Sequence, residues 1–340
     1  MSDAERGDDE QQTPLGSEDP TAELPVADPP RLLVAGVDGG GSKTRTHLAD
    51  ETGRVLGTAD GPASAVRPGG ADHSADVIAA GVRDALAAAA LAPDARVQAL
   101  VVGVAGAGRE PERLALTHAL QARGVAEELR VVPDATVALD DAFGEGPGVL
   151  LIAGTGSVAF ARGPDGSFAR AGGWGPVLGD EGSGAWLGRR ALNAAVASAD
   201  GREPETALLN ALLTAVEADE PSALIPWAAR ATPTDFATLA PVVLRVAAAG
   251  DARATSLLTL AVEELVLHVR TLARSLFVDE RAAVPVALAG GLLSRGSGLR
   301  RRLEQRLKTA VPGATVRQEP VEPARGAVRG ALRLLGVELI

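Results

Sequence analysis

Short apolar runs broken by glycine recur along this chain, and one arrangement of them occurs twice, about 115 residues apart. In the first copy, residues 32–37 read as a buried strand. Asp38-Gly39-Gly40-Gly41-Ser42-Lys43-Thr44 follows as a tight glycine loop, and a second strand leads to the turn Glu51-Thr52-Gly53. In the second copy the same order holds: a strand at 148–153, the loop Gly154-Thr155-Gly156-Ser157, a strand at 158–161 and the turn Pro164-Asp165-Gly166. Strand, glycine loop, strand, turn, strand, given twice, predicts two like domains able to face each other across a cleft.

Between and beyond the hairpins the pattern alternates. Residues 71–91 form an Ala-rich helical stretch that Asp72 or Ser74 can cap. A buried strand at 99–105 ends in Gly106-Ala107-Gly108, a helix at 111–123 stops at Gly124, and a strand at 129–132 ends at Pro133-Asp134. From Gly182 the period is helical to about Ala199, and helical segments continue to Phe277. A strand at 284–289 closes on Gly290-Gly291. A basic helix at 298–307, a strand at 314–317 and a last helix at 324–335 complete the chain. Strands alternating with helices, with early hairpins in each half, predict an α/β fold of two mixed sheets. Ligands of such sheets bind beyond the carboxyl ends of the strands, where both glycine loops fall.

Composition narrows the chemistry. Hydrophobic residues make up 46% of the 340, aromatics only 2% and Tyr none, so the cores are built from Ala, Val and Leu. A net charge of −11 argues against nucleic acid or an anionic membrane surface as partner. Without cysteine there is no thiolate catalysis, disulfide or cysteine-held cluster, and four scattered histidines do not suggest a protein metal cage. No apolar run reaches membrane-spanning length and no signal-peptide pattern opens the chain, so a cytoplasmic location is expected. Residues 1–29 are acidic and Pro-rich, the composition of a disordered tail.

Glycine loops let a backbone approach phosphate closely and offer it free N–H groups. Gly39, Gly40, Gly41 and Ser42 suit phosphate oxygens. Asp38, ending a buried strand beside them, suits a magnesium ion held through water. Lys43 and Thr44 extend the loop, Lys43 either as a phosphate contact or as a solvated lysine. The loop fits neither the Walker spacing nor the dinucleotide spacing. Gly154, Thr155, Gly156 and Ser157 form the second phosphate loop by their place in the duplicate. In the run from Gly172 to Gly184, Trp174 offers an apolar platform for a sugar and Asp180, with Glu181 beside it, an acceptor for its hydroxyls; the alternative is a capping carboxylate beside a loop tryptophan. So many glycines carry a cost in folding entropy unless the backbone must approach something closely. Asp134 is a candidate general base or a helix cap. Asp140 and Asp141 read as a solvated helix face, as do Arg300, Arg301 and Arg302. Gly290, Gly291 and Ser294 form either an adenine and ribose shelf or an ordinary strand–helix turn.

Together these segments resemble the N-acetylglucosamine kinase branch of the sugar-kinase, actin and heat-shock ATPase superfamily, a branch that includes the BadF/BadG/BcrA/BcrD-type ATPases. The resemblance rests on residues 37–44, 153–157, 172–183 and 289–291, in the family's order. It implies two ribonuclease-H-like domains around a cleft that holds ATP, Mg2+ and a hexose. Residues 30–133 would form the first, joined by a returning helix at 324–340, and residues 134–323 the second. It places Gly173, Trp174 and Asp180 at the sugar, and Asp38, Gly40, Thr44 and Thr155 at phosphate and metal. Ala65 stands near the place of a sugar-binding asparagine, and Gly108 near that of an acid, leaving Asp134 as the base. The activity so implied is ATP-dependent phosphorylation of an amino sugar, by an enzyme often homodimeric. The alternative is a regulatory ATPase acting on a protein partner, without an iron–sulfur cluster.

Overall fold

The computed structural model describes residues 32–92, 94–277 and 283–337, so the expected tail at 1–29 lies outside the described residues. The first domain runs β1 (Leu33–Gly39), β2 (Thr44–Asp50), β3 (Val55–Gly61), α1 (Ala71–Ala88), β4 (Ala99–Val104), α2 (Glu110–Ala122) and β5 (Glu128–Pro133). After α3 (Asp134–Phe143) the pattern repeats as β6 (Gly148–Ala153), β7 (Ser157–Arg162) and β8 (Phe168–Gly172). Six helices then intervene: α4 (Gly184–Ala199), α5 (Leu208–Ala215), α6 (Leu224–Arg230), α7 (Pro233–Ala237), α8 (Ala240–Ala248) and α9 (Ala252–Leu276). The chain ends with β9 (Val284–Ala289), α10 (Gly298–Ala310), β10 (Ala314–Val316) and α11 (Pro323–Leu334).

The two sheets have one topology. The first is ordered β3-β2-β1-β4-β5 and the second β8-β7-β6-β9-β10. In each, the three hairpin strands are antiparallel and the last two run parallel to the first strand. The duplicated sequence pattern is therefore a duplicated fold, and each glycine loop joins the first two strands of its sheet. Leu, Val and Ala fill both cores. In the first domain they lie between the sheet and α1 and α2, and in the second mainly among the sheet, α4, α5, α8, α9 and α10.

Helix α11 crosses back to the first sheet, where Ala327, Val328, Ala331 and Leu332 pack on Val34, Ala49, Ala99 and Val101. It seats against bare backbone, because a Cβ on Gly36 would lie 2.3 Å from the Val328 nitrogen. Helix α3 bridges the sheets: Val137 packs with the first, while Ala138, Leu139 and Ala142 pack with Leu150 and Ala287 of the second.

Three expectations change. Asp140 and Asp141 are buried, because α3 is enclosed by protein and its polar side meets arginines. Asp140 accepts from Arg162 (2.5 Å) and Arg333 (2.6 Å), and Asp141 from Arg325 (2.6 and 2.9 Å). Arg300 is only 5% exposed and donates to Glu304 and to the Leu293 and Arg317 carbonyls, while Arg301 and Arg302 do face solvent. Neither Asp72 nor Ser74 caps α1, whose N-cap is Gly70. Ser74 is buried one turn in, with its hydroxyl donating to the Gly70 carbonyl.

Candidate active site

The carboxyl ends of β1 and β5 bring two acids together. Asp38 is the penultimate residue of β1, and Asp134 follows β5 as the first residue of α3, accepting the Ala135 N–H at 2.9 Å. Both are half-buried. Burial, and then the charge of Asp134, push the Asp38 carboxyl up to about 6, with Lys43 and Arg45 pulling the other way. Burial likewise raises Asp134. Two acids that repel each other in a desolvated corner favour a cation or a proton between them.

The first glycine loop stands directly above. Gly40 donates to the Lys43 carbonyl at 2.9 Å, closing a turn whose tip, Gly41-Ser42-Lys43, is exposed. Ser64 and Ala65 donate to the Gly40 carbonyl, and a Cβ on Gly39 would strike the Ser64 hydroxyl at 2.4 Å. Thr44 departs from its expected role. It is buried, and its hydroxyl donates to the Pro62 carbonyl at 2.6 Å beside Ser64, so it serves the loop and not a phosphate.

In the second domain the loop 154–157 and the segment 172–184 form one unit. Gly184 and Ala185 at the start of α4 donate to the Gly154 and Thr155 carbonyls, Gly173 donates to the Ser157 carbonyl, and the Ser157 hydroxyl donates to the Glu181 carbonyl at 2.7 Å. Ser157 is thus buried and its hydroxyl occupied, and Thr155 is the exposed tip. Asp180 holds a left-handed φ of +59°, rare for a residue with a Cβ, and its carboxylate fills the space where a Gly156 side chain would stand. Trp174 is 65% exposed, with the Arg170 guanidinium stacked 4.7 Å from its ring centre. Glu181 is half-buried beside it. By the shared topology, the segment after β8 that carries Trp174 corresponds to the segment after β3 that carries Ala65.

Next to Thr155 a cleft of about 640 Å³ is lined by Gly154, Gly184, Gly291 and Ser294, so the second glycine loop meets the turn after β9. Gly290 turns this corner with φ +92°, and a Cβ there would lie 2.3 Å from the Ala153 carbonyl oxygen. The opposite wall consists of Thr234, Ala237, Thr238 and Pro241 from α7 and α8, residues that the sequence did not single out. The available signal was the capping box of Thr232 and Asp235, which fixes the start of α7. The cleft has an apolar floor, exposed backbone and the N-terminus of α4, a combination suited to a flat base with phosphates attached.

Among the described residues no group of three or more metal-ligating side chains occurs. The two acids, opening on free N–H groups, fit a hydrated Mg2+ that takes its remaining ligands from water and phosphate.

The chain is similar to known enzymes along nearly its whole length. It is 28% identical over 311 residues to an N-acetyl-D-glucosamine kinase of Dictyostelium discoideum, covering 88% of this chain and 98% of that one. Similarity to an N-acetylmuramic acid/N-acetylglucosamine kinase of Clostridium acetobutylicum is 29% over 297 residues, 87% of this chain and 96% of the other. Among solved structures, a Chromobacterium violaceum protein assigned as an N-acetylglucosamine kinase superposes with a TM-score of 0.70 at 34% identity, over 87% of this chain and 98% of its own. A ROK family glucokinase of Streptomyces griseus, in complex with glucose and AMPPNP, shares the fold at 18% identity and a TM-score of 0.55, over 88% of this chain and 99% of its own. From residue 35 to residue 333 the sequence fits one family model, and the chain belongs to the BadF/BadG/BcrA/BcrD ATPase family.

Proposed function

We propose that this chain is an ATP-dependent kinase that phosphorylates a hydroxyl of an amino sugar of the N-acetylglucosamine type. The observation that carries the reading is the convergence of Asp38 and Asp134, both with raised pKa, beneath the exposed turn Gly40–Lys43. The amino-sugar kinases that the chain resembles supply the substrate class. They also favour a sugar acceptor over the alternative, a regulatory ATPase acting on a protein.

The adenine lies in the cleft of Gly290, Gly291 and Ser294. The phosphates pass between Gly154–Gly156 with Thr155 and Gly39–Gly41 with Ser42, and Lys43 supplies a positive charge. Asp38 would hold Mg2+ through water, and that ion supplies charge neutralisation of the phosphates. The sugar rests on Trp174, with Gly173, Asp180 and Glu181 meeting its polar groups. Asp134 accepts the proton of the attacking hydroxyl as that oxygen bonds to the γ-phosphorus and ADP departs. Burial raises its pKa above the ordinary carboxylate value, which makes it a stronger base than a free aspartate. Phosphoryl transfer needs positioning and charge stabilisation above all, and both are furnished when the domains close and exclude water. The functional domains are 30–133 with 324–340, and 134–323. A cytoplasmic homodimer completes the reading, and light scattering on the purified protein tests the oligomer.

The decisive assay is ADP release with ATP and Mg2+ against N-acetylglucosamine, glucosamine, N-acetylmuramic acid, glucose and N-acetylmannosamine. Turnover with an amino sugar that disappears in Asp134→Asn supports both the activity and the base. Tight ATP binding with no sugar turned over would sink the kinase reading.

A further inference from the structure

A cavity of about 860 Å³ opens at the end of the molecule opposite both glycine loops. Strand register fixes that placement. In β1, Gly39 pairs with Thr44 at the loop end and Leu33 with Asp50 at the far end, and the cavity is lined by Thr52 and Gly53, just past Asp50. In β6, Ala153 pairs with Ser157 at the loop end and Gly148 with Arg162 at the far end, and the cavity is lined by Gly144 and Glu145, just before Gly148. The remaining wall is α11, which presents Arg325, Arg329 and Arg333 at four-residue spacing, hence on one face. An adjoining cavity of about 490 Å³ shares Arg325 and Arg329 and adds Arg317.

The buried acids do not use up these guanidinium groups. Asp141 is satisfied by Arg325 (2.6 and 2.9 Å) and the Glu322 N–H (2.7 Å). Asp140 is held by Arg162 and Arg333. Arg317 donates to the Ala142 carbonyl. Arg329 donates to the Asp141 carbonyl at 3.1 Å and comes no closer than 3.7 Å to its carboxylate. Of the three arginines on the larger cavity, Arg329 is the least committed, its one carboxylate contact being the long approach to an Asp141 that Arg325 already holds, and it stands on the wall common to both cavities. The other acids lie toward solvent and approach only at long range: Glu145, with a side chain 78% exposed, comes within 3.6 Å of Arg333, Glu322, 49% exposed, within 3.8 Å of Arg325, and Glu319 is exposed. A chain of net charge −11 thus carries an arginine-lined concavity where its two domains join.

We propose that this concavity binds a small phosphate-bearing molecule, with Arg329 as its principal ligand and Arg325 and Arg333 beside it, at a site separate from the nucleotide cleft. Guanidinium groups match phosphate oxygens in fork geometry, which an isolated ammonium does not. The volume lies in the range of small-molecule pockets and exceeds what a bare phosphate needs, so a phosphorylated sugar is the class that fits. Helix α11 is packed on the first sheet, while Gly144 and Glu145 lead into the second. An occupant therefore touches both domains and shifts the balance between open and closed forms by its preference for one.

Calorimetric titration of the full chain tests this, with the catalytic cleft filled by a non-hydrolysable ATP analogue, Mg2+ and N-acetylglucosamine. The probes are inorganic phosphate, pyrophosphate and glucosamine 6-phosphate. At least one is expected to bind the filled protein, and Arg329→Gln is expected to weaken it tenfold or more while leaving nucleotide affinity unchanged. Arg329→Lys, keeping the charge and losing the fork, falls between. No binding by any probe overturns the proposal, as does binding that Arg329→Gln does not move or that vanishes when the cleft is filled. Should the analogue itself not bind, the comparison of wild type with Arg329→Gln decides alone. The site does not depend on the kinase reading, and nucleotide titration reports on that reading separately.

Discussion

Asp38 and Asp134 have the same residue type and opposite tests. Replacing Asp134 by Asn keeps its size and its place at the start of α3 but removes the carboxylate proposed as proton acceptor. A positioned general base contributes roughly 10²–10⁴-fold, so kcat of Asp134→Asn should fall by that factor with ATP affinity retained, as read by steady-state kinetics and nucleotide titration. Asp38 carries a cost in stability. Its folded pKa of about 6 lies above the ordinary 3.8, so the folded protein holds this proton more tightly than the unfolded chain. The stability linked to it is fully present below pH 3.8 and is lost as pH rises through 6. Asp38→Asn in metal-free buffer should therefore be more stable than the parent at pH 8, by up to about 3 kcal/mol at 1.36 kcal/mol per pKa unit. The gain should shrink to almost nothing at about pH 3, below both pKa values. Urea denaturation at the two pH values checks it, and equal gains at both would refute the assignment. Asp180 is a third case. Asn tolerates its left-handed backbone, so Asp180→Asn should fold normally while the KM for the sugar rises at least tenfold if the carboxylate accepts from sugar hydroxyls.

At the scale of elements, close approach explains why certain strands and helices can meet at all. The Cβ that Gly36 lacks would press on backbone atoms of Val328 and Ala324, which cannot rotate aside as a side chain can. Gly36→Val should therefore lift α11 from the first sheet and cost about 3 kcal/mol or more, as severe overpacking does, measured by urea midpoint at constant slope. Gly41→Ala, whose Cβ meets open space, is the matched control. Most elements were legible in the sequence because glycine punctuates them. Both hairpins, the strand at 284–289 and the last helix come within a residue or two of their observed bounds. The misread charges share one cause. A carboxylate or guanidinium on a helix usually meets water, and no local pattern says that α3 is enclosed by two sheets and α11, or that Arg300 reaches back to the Leu293 carbonyl. The α7 wall of the cleft beside Thr155 was hidden for a related reason. Thr234 in α7 and Thr238 just past it are ordinary polar residues until the fold carries them to Gly291.

At the scale of the molecule, the candidate site is split between halves. The acids and the first loop belong to one sheet, and the second loop, Trp174 and the cleft beside Thr155 belong to the other. A nucleotide and a sugar that both favour the closed form must strengthen each other's binding by the same factor, since the coupling is reciprocal. A typical coupling of about 1–3 kcal/mol corresponds to an affinity change of roughly 5–150-fold. The dissociation constant of a non-hydrolysable ATP analogue should accordingly drop by a factor in that range when N-acetylglucosamine saturates the protein. The radius of gyration in solution scattering should fall only when both are present. Trp174→Ala separates this from a local effect. Trp174 lies in the second domain and is largely exposed, so its loss leaves the nucleotide cleft and the core intact. In that variant the analogue alone should bind as before, and the sugar-dependent gain should disappear. A gain that survived Trp174→Ala would mean the sugar sits elsewhere, and equal affinities with and without sugar in the parent would mean the halves do not close on the two ligands together.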